Sequence, residues 1–377
     1  MIVSKALIVG AGLAGLSAAI ALARGGTNVT LVTRDETAEG ASITITNRAV
    51  DAIEALGVLD ACMAEGVYPT GSDSIFASMM DGAGRPLPVP PPPPRPDDRL
   101  PPYIAIYRPD LTRILSDAAR HAGVVIRSGV TFTSLIDRGS CVDADLSDGT
   151  SDRFDLVVGA EGAHSAVRKI IHPGIAPTYT GWMSFRIVID DGPEGPAGFY
   201  TLPNGQGMLA TVRLPRGRLY LAAGKRMESR RIAQAEAVAL LDGVLAPYTA
   251  LLARAIRDRL ASDPPPVIAR PFESLLVPAP WHRGRMTIIG DAAHATTPNL
   301  ASGGSIALED GVVLAEELAK ADSVTTGLDA FMARRFARCA MVVETSLKMM
   351  RGADTNADPA DNAALRRMAM AELIRPY

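Results

Sequence analysis

The residues Ala6-Leu7-Ile8-Val9-Gly10-Ala11-Gly12-Leu13-Ala14-Gly15-Leu16, near the start of a 377-residue chain, decide how the rest is read. Ala6 to Val9 is a short apolar run without polar alternation, suited to a parallel strand buried on both faces. Leu13 to Arg24 is rich in Ala and Leu and reads as a helix, ended by Gly25-Gly26. Val29 to Thr33 supplies the next strand and completes a βαβ unit. Each glycine of the turn has its own use: Gly10 permits the tight bend, Gly12 lets a pyrophosphate approach the backbone, and Gly15 lets the helix pack closely on the sheet. The helix N-terminus offers unpaired N–H groups and a partial positive charge to the phosphates. Strand, turn and helix together predict a bound dinucleotide. One position departs from the pattern. An acidic residue is expected where the second strand ends, to hold a ribose, but this chain has Thr33, then Arg34, Asp35 and Glu36. A threonine hydroxyl bonds a ribose more weakly than a carboxylate does. Asp35 either compensates or is, like Glu36, a solvated loop charge.

The length fits two or three domains. A net charge of −3, spread along the chain, argues against a nucleic-acid binder and against a polybasic membrane surface. Aromatic residues are only 5%, so aliphatic side chains must build most of the core. Cys62, Cys141 and Cys339 are too few and too far apart for a disulfide framework or a zinc cluster; they fit a reducing compartment, and a cytoplasmic location is expected. The apolar N-terminus is interrupted by glycines and ended by Arg24, so it reads as neither signal peptide nor membrane helix.

Further along, Arg48 to Leu56 and Pro109 to Ala122 read as helices, and Ser74 to Met80, Val124 to Arg127 and Phe154 to Val158 as strands. Pro90 to Pro94 reads as a stiff surface loop. From about Tyr179 to Ala223 the pattern changes to short strands with turn signals at Asp191-Gly192, Asn204-Gly205 and Arg216-Gly217, an antiparallel sheet. Ile232 to Leu260 is helical, Thr287 to Ile289 is a buried strand, and helices follow over Ser305 to Ala319, 328–351 and 360–373. The fold class is therefore α/β, with a nucleotide-type architecture interrupted by an antiparallel one. Two more motifs stand out. One is Asp155-Leu156-Val157-Val158-Gly159-Ala160-Glu161-Gly162-Ala163-His164-Ser165-Ala166-Val167-Arg168. The other is Gly290-Asp291-Ala292-Ala293-His294, followed by Pro298 and Gly303-Gly304. The second places one carboxylate, Asp291, at the C-terminal edge of a strand, where α/β sheets bind ligands.

These three motifs in this order resemble the single-component FAD-dependent aromatic hydroxylases, the flavoprotein monooxygenases of the para-hydroxybenzoate hydroxylase type. Tyr107-Arg108-Pro109-Asp110-Leu111 adds to the resemblance, which covers nearly the whole chain. It implies a Rossmann-like FAD-binding domain over 1–72, 106–176 and 271–377, a substrate-domain excursion over 73–105, a β-sheet substrate domain over 177–270, and C-terminal helices. It implies that Gly10, Gly12, Leu13, Ala14 and Gly15 hold the pyrophosphate, and that Thr33 and Arg34 lie by the adenosine. Ala41, Ser42 and Ile43 would pass near the flavin, Arg108 would approach its phosphate or ribityl part, and the Val130 backbone would touch the adenine side. Asp291 would bind the ribityl chain, Pro298 would present its carbonyl toward the substrate, and Gly303, Gly304 and Ser305 would donate N–H groups to the flavin ring. A helix N-terminus there suits the negative charge of a reduced flavin. Relatives usually have Asp-Gly where this chain has Glu161-Gly162, and many have Gly-Gln where it has Ala301-Ser302.

The implied activity is hydroxylation of a small aromatic or heteroaromatic compound, with NADPH or NADH as a transient reductant and O2 as oxidant, through a flavin C4a-hydroperoxide. A flavin reductase or dehydrogenase on the same fold, or a non-catalytic FAD-binding protein, are the alternatives. No nucleic acid or membrane partner is expected, and the chain is read as a monomer or homodimer. The substrate side is expected on the antiparallel sheet. Thr211 and Arg213 share a strand face, with Tyr220 on the next strand across the Arg216-Gly217 turn; Arg186 and Tyr200 are the other candidates. Tyr220 matches a catalytic tyrosine of the related urate hydroxylases, and Tyr220 and Pro298 are the two residues assigned to catalysis.

Overall fold

The structure, a computed structural model, describes residues 2–35, 41–69, 78–88, 99–202, 208–354 and 359–377. Glu36, the Pro90 to Pro94 run, the Asn204-Gly205 turn and most of the strand expected from Ser74 lie outside the described residues. The N-terminal reading is realised as Lys5–Val9, Leu13–Arg24 and Asn28–Thr33. Lys5–Val9 is central in a six-stranded sheet, with Asn28–Thr33 and then Val125–Ser128 on one side, and Leu156–Gly159, Met286–Ile288 and His282–Arg283 on the other. All neighbours are parallel except the last pair. Ala6, Leu7 and Ile8 have no exposure, because helices cover both faces of such a sheet. Helix Leu13–Arg24 packs on helix Gly303–Lys320, with the Ser17 hydroxyl donating to the Leu308 carbonyl at 2.7 Å.

The second architecture is a seven-stranded sheet in the order Ile268–Ser274, Thr178–Ile189, Leu219–Arg226, Met208–Arg213, Gly198–Thr201, Met79–Asp81, Pro86–Leu87. One face packs through Phe185, Ile187, Leu209 and Leu221 onto Leu241 and Ile256 of helices Gln234–Leu245 and Leu251–Ser262. These two helices replace the single helix expected over 232–260, since the chain between them carries Pro247, which cannot continue the first. The register across the other face runs Arg186↔Ala222↔Ala210↔Phe199, with Val188↔Tyr220↔Val212 as the adjacent row.

Two expectations are corrected. Phe154 to Val158 is not one strand: Ser151–Phe154 belongs to a small three-stranded sheet and Leu156–Gly159 to the parallel one. Asp155 is the joint, its carboxylate accepting the Ser4 and Lys5 N–H groups at 2.8 and 2.9 Å. The boundary expected after residue 105 cuts through strand Tyr103–Tyr107, which pairs with Ser42–Thr46 and Gly66–Val67 rather than with the seven-stranded sheet. Among the described residues no helix is long and apolar enough to cross a membrane.

Candidate active site

A cavity of about 800 Å³ opens between the C-terminal ends of the parallel strands and the Arg186-bearing face of the seven-stranded sheet. Its nucleotide end is built by the glycine turn. Gly10 has φ +106°, and a Cβ there would lie 2.5 Å from the Ala160 carbonyl oxygen. A Cβ on Gly15 would lie 2.0 Å from the Gly10 carbonyl oxygen, so this glycine is needed for close packing and does not itself line the cavity. Gly12 lines it, and a Cβ there would meet no protein atom nearer than 3.8 Å. No side chain caps Leu13–Arg24 or Gly303–Lys320, so the first-turn N–H groups of both helices are left for a ligand.

Asp291 is exposed to the cavity that it lines. The protein packed around the cavity wall desolvates the Asp291 carboxyl and pushes it upward, while His294 and Arg108 pull it back. Arg108 lines the same space, and its guanidinium has no hydrogen-bond partner among the described residues. Two buried hydroxyls of the lining, Ser42 Oγ and Thr297 Oγ1, also lack any partner. Free helix ends, an unpaired guanidinium, an inward carboxylate and two orphaned hydroxyls form a donor and acceptor set that fits FAD, with its anionic diphosphate, polyol and polar ring edge.

The expected cofactor residues Gly10, Gly12, Leu13, Ala14, Thr33, Arg34, Ala41, Ser42, Ile43, Arg108, Asp291, Pro298, Gly303 and Gly304 all line the cavity. Two do not. The Val130 N–H is used by the Thr33 carbonyl at 3.1 Å, and its neighbour Thr131 takes the wall position. Ser305 faces away, its Oγ accepting the Thr46 N–H at 3.0 Å. The Thr33 hydroxyl donates to the Asp35 carbonyl at 2.7 Å, which leaves it only as an acceptor toward a ribose. Glu161 has a local use that a shorter acid would reach less easily. It accepts from Ser165 Oγ, Ala166 N and Val167 N at 2.6, 3.1 and 3.0 Å, capping helix Ala166–Ile171. Arg168, fully buried, ties the second and third motifs together by donating to the Ala163 and Ala292 carbonyls.

The substrate-side grouping is corrected. Tyr220 sits opposite Val212, so Thr211 and Arg213 point to the other face of the sheet. Thr211 Oγ1 bonds the Gly198 backbone. Arg213 donates to the carbonyls of Gly192, Pro193 and Gly195, and the Tyr200 hydroxyl to that of Pro196 at 2.5 Å. Of the five candidates on the sheet, Arg186 and Tyr220 bring their side chains to the cavity face; Thr211 borders the cavity with its hydroxyl already committed. Sequence reasoning missed Phe199, Ala210, Val212, Ala222 and Phe272, which floor this half of the cavity. Four of them lie on the two cross-strand rows that pass through Arg186 and Tyr220.

Ala301, beside Pro298, is held at φ +51° and ψ +28°, a left-handed conformation that glycine adopts freely. Ala301→Gly is therefore expected to raise stability by ~0.5–1 kcal/mol, the relieved strain less the added chain entropy. Urea unfolding measures this, and an unchanged or lowered midpoint would contradict it.

The FAD binding domain family matches residues 4–346. The chain therefore belongs to this family, the flavoprotein monooxygenases of the para-hydroxybenzoate hydroxylase type. It is 30% identical over 350 residues to the Bacillus subtilis protein YetM, which carries the name of an FAD-dependent monooxygenase; the match covers 92% of each chain. It is 30% identical over 364 residues to 3-hydroxybenzoate 6-hydroxylase 1 of Aquipseudomonas alcaligenes, covering 89% of this chain and 86% of that one. The crystal structure of Klebsiella pneumoniae HpxO with FAD and uric acid shares the fold with a TM-score of 0.74 at 21% identity, over 98% of this chain and 92% of that one.

Proposed function

We propose that this flavoprotein hydroxylates a small aromatic or heteroaromatic substrate bearing an acidic group, with NAD(P)H as reductant and O2 as oxygen source. The observation that carries this reading is the Arg186 guanidinium. It lines the cavity, opposite Ala222 in the sheet, with no hydrogen-bond partner among the described residues. Half-buried in the cavity wall, this cation is free to pair with a ligand, and a carboxylate or ionised phenol would form a charge-assisted hydrogen bond with it. The wall beside it is flat and apolar at Ala210, Ala222 and Phe199, a surface for a ring. The related 3-hydroxybenzoate 6-hydroxylase is named for an aromatic acid, which supports the same class here.

In the proposed reaction one oxygen atom of O2 replaces ring hydrogen as a hydroxyl. The other leaves as water, and NAD(P)H with one proton supplies two electrons. When bound, FAD would pass those electrons to oxygen; the chain's own residues do the rest. The unpaired helix ends and Asp291 orient the cofactor, Arg186 anchors the substrate anion, and the apolar wall at Ala210, Ala222 and Phe199 displaces water from the ring. Burial raises the Tyr220 phenol, with Arg186 and Arg108 pulling against it, so at neutral pH it is protonated. Its hydroxyl has no partner among the described residues and is placed to hydrogen-bond a ring substituent. Domain roles follow from the same reading: the parallel sheet and its helices hold the cofactor, and the seven-stranded sheet holds the substrate. The test is NAD(P)H oxidation by the FAD-loaded protein across hydroxy- and aminobenzoates, their pyridine analogues and the matching uncharged amides. Stimulation by the acids and not the amides supports the reading; stimulation by neither overturns it.

A further inference from the structure

The turn that carries Asp291 is held at both ends by one carboxylate that lies outside the cavity. The Gly290 N–H donates to Asp310 Oδ2 at 2.8 Å, and His294 Nε2 lies 2.6 Å from the same oxygen. Gly290 has φ +60° and ψ −145°, a conformation essentially confined to glycine, so the turn keeps this shape only while its ends are fixed. The second oxygen of Asp310 accepts from Arg335 Nε at 2.8 Å. Arg335 also donates to Glu309 Oε2 and to the Ile306 carbonyl, and Arg338 closes on Glu309 through Nε and Nη2. His294, Asp310 and Arg335 have no exposure, and Glu309 has 1%.

Burying this many charges costs far more than an apolar core of the same volume, so stability alone gives no reason for them. Their geometry gives another. Asp310 stands on helix Gly303–Lys320, whose first residues form the cavity wall, and its carboxylate refers the Asp291 turn to that same helix. His294, Asp310 and Cys339 come close enough to suggest a metal site. However, both Asp310 oxygens are already taken, Oδ1 by Arg335 and Oδ2 by the Gly290 N–H and His294.

We propose that Asp310 is a positioning residue for FAD: by holding Gly290 and His294 it aims the Asp291 carboxylate into the cavity. The proposal rests on Asp291 contacting the cofactor. FAD is titrated into the flavin-stripped full-length chain, with flavin fluorescence as readout, for the wild type, Asp291→Asn, Asp310→Asn and the double variant. Asp291→Asn is expected to weaken FAD tenfold or more. Asp310→Asn should weaken it comparably, and the double variant should bind within about twofold of the weaker single one, because both changes act through one contact.

Asp310→Asn leaves Arg335 with less charge to pair and risks failing to fold, so His294 gives an independent arm. His294→Leu removes the donor that holds the far end of the turn and leaves Asp310 paired with Arg335. It should lose about tenfold in the wild-type background and nothing in Asp291→Asn. His294→Gln, which keeps a donor to Asp310, should stay within about threefold of wild type. Losses that multiply in the double variants, or His294→Leu binding FAD like wild type, would overturn the positioning role while leaving Asp291 a cofactor contact. Unchanged affinity in Asp291→Asn would overturn that contact and the proposal with it.

Discussion

Gly12→Ala is expected to fold as well as the wild type and to lose FAD. The two consequences separate because of where the added methyl goes. A Cβ on Gly12 meets no protein atom nearer than 3.8 Å, so the flavin-stripped chain should unfold at the same denaturant concentration. The same methyl projects into the cavity at the turn where the diphosphate approaches the backbone, and overpacking there costs ~3 kcal/mol, about a hundredfold in affinity. Gly15→Ala is the contrast. Its methyl would press on the Gly10 carbonyl oxygen at 2.0 Å, so it should lower stability even without FAD. Equilibrium unfolding and FAD titration of both variants check this. Gly12→Ala with wild-type FAD affinity would remove the diphosphate from this turn.

Arg186→Gln and Tyr220→Phe are expected to leave FAD affinity unchanged and to impair the substrate step. Losing a charge-assisted hydrogen bond to an acidic substrate costs ~1.5–3 kcal/mol, about ten- to a hundredfold in KM for Arg186→Gln. Tyr220→Phe keeps the ring's packing against Val212 and Leu214 and removes only a hydroxyl without a protein partner. It should fold normally and divert NAD(P)H electrons to hydrogen peroxide, lowering product formed per NAD(P)H about tenfold (~1.4 kcal/mol). Arg213→Gln is the opposite-face control. Its guanidinium holds the carbonyls of 192–195, so it should lower stability without changing KM. Wild-type kinetics in both Arg186→Gln and Tyr220→Phe would move the substrate away from this face.

The cofactor half was legible in the sequence because its chemistry is carried by backbone. Gly10, Gly12 and the Gly290-Asp291 pair announce themselves, since glycine at those positions has few other reasons to sit between a buried strand and a helix. The substrate half was misread, because the polar residues of strand Met208–Arg213, Thr211 and Arg213, are spent on the backbone of 192–198 and not on the substrate. Leu209 and Thr211 are buried against the helix-backed core, while Ala210 and Val212 face the cavity and are small or apolar as well. Polarity therefore points to the wrong parity, and a one-residue choice reverses every side chain. The turn settles it: Arg216 and Gly217 both take positive φ, +64° and +70°, which sets Tyr220 opposite Val212. The network behind Asp291 was hidden for a different reason. Asp310 and Arg335 are 25 residues apart on two helices, and nothing local marks either as buried.

Entry of oxygen from O2 into the substrate in this cavity is the step on which the proposed function stands. It is tested most directly by turnover under ¹⁸O2 in unlabelled water, with NAD(P)H and whichever aromatic acid most stimulates its oxidation. The account predicts product carrying one ¹⁸O atom per molecule, formed in step with NAD(P)H consumed. Unlabelled product, or NAD(P)H consumed with hydrogen peroxide as the sole oxygen product for every acid that stimulates, would contradict it.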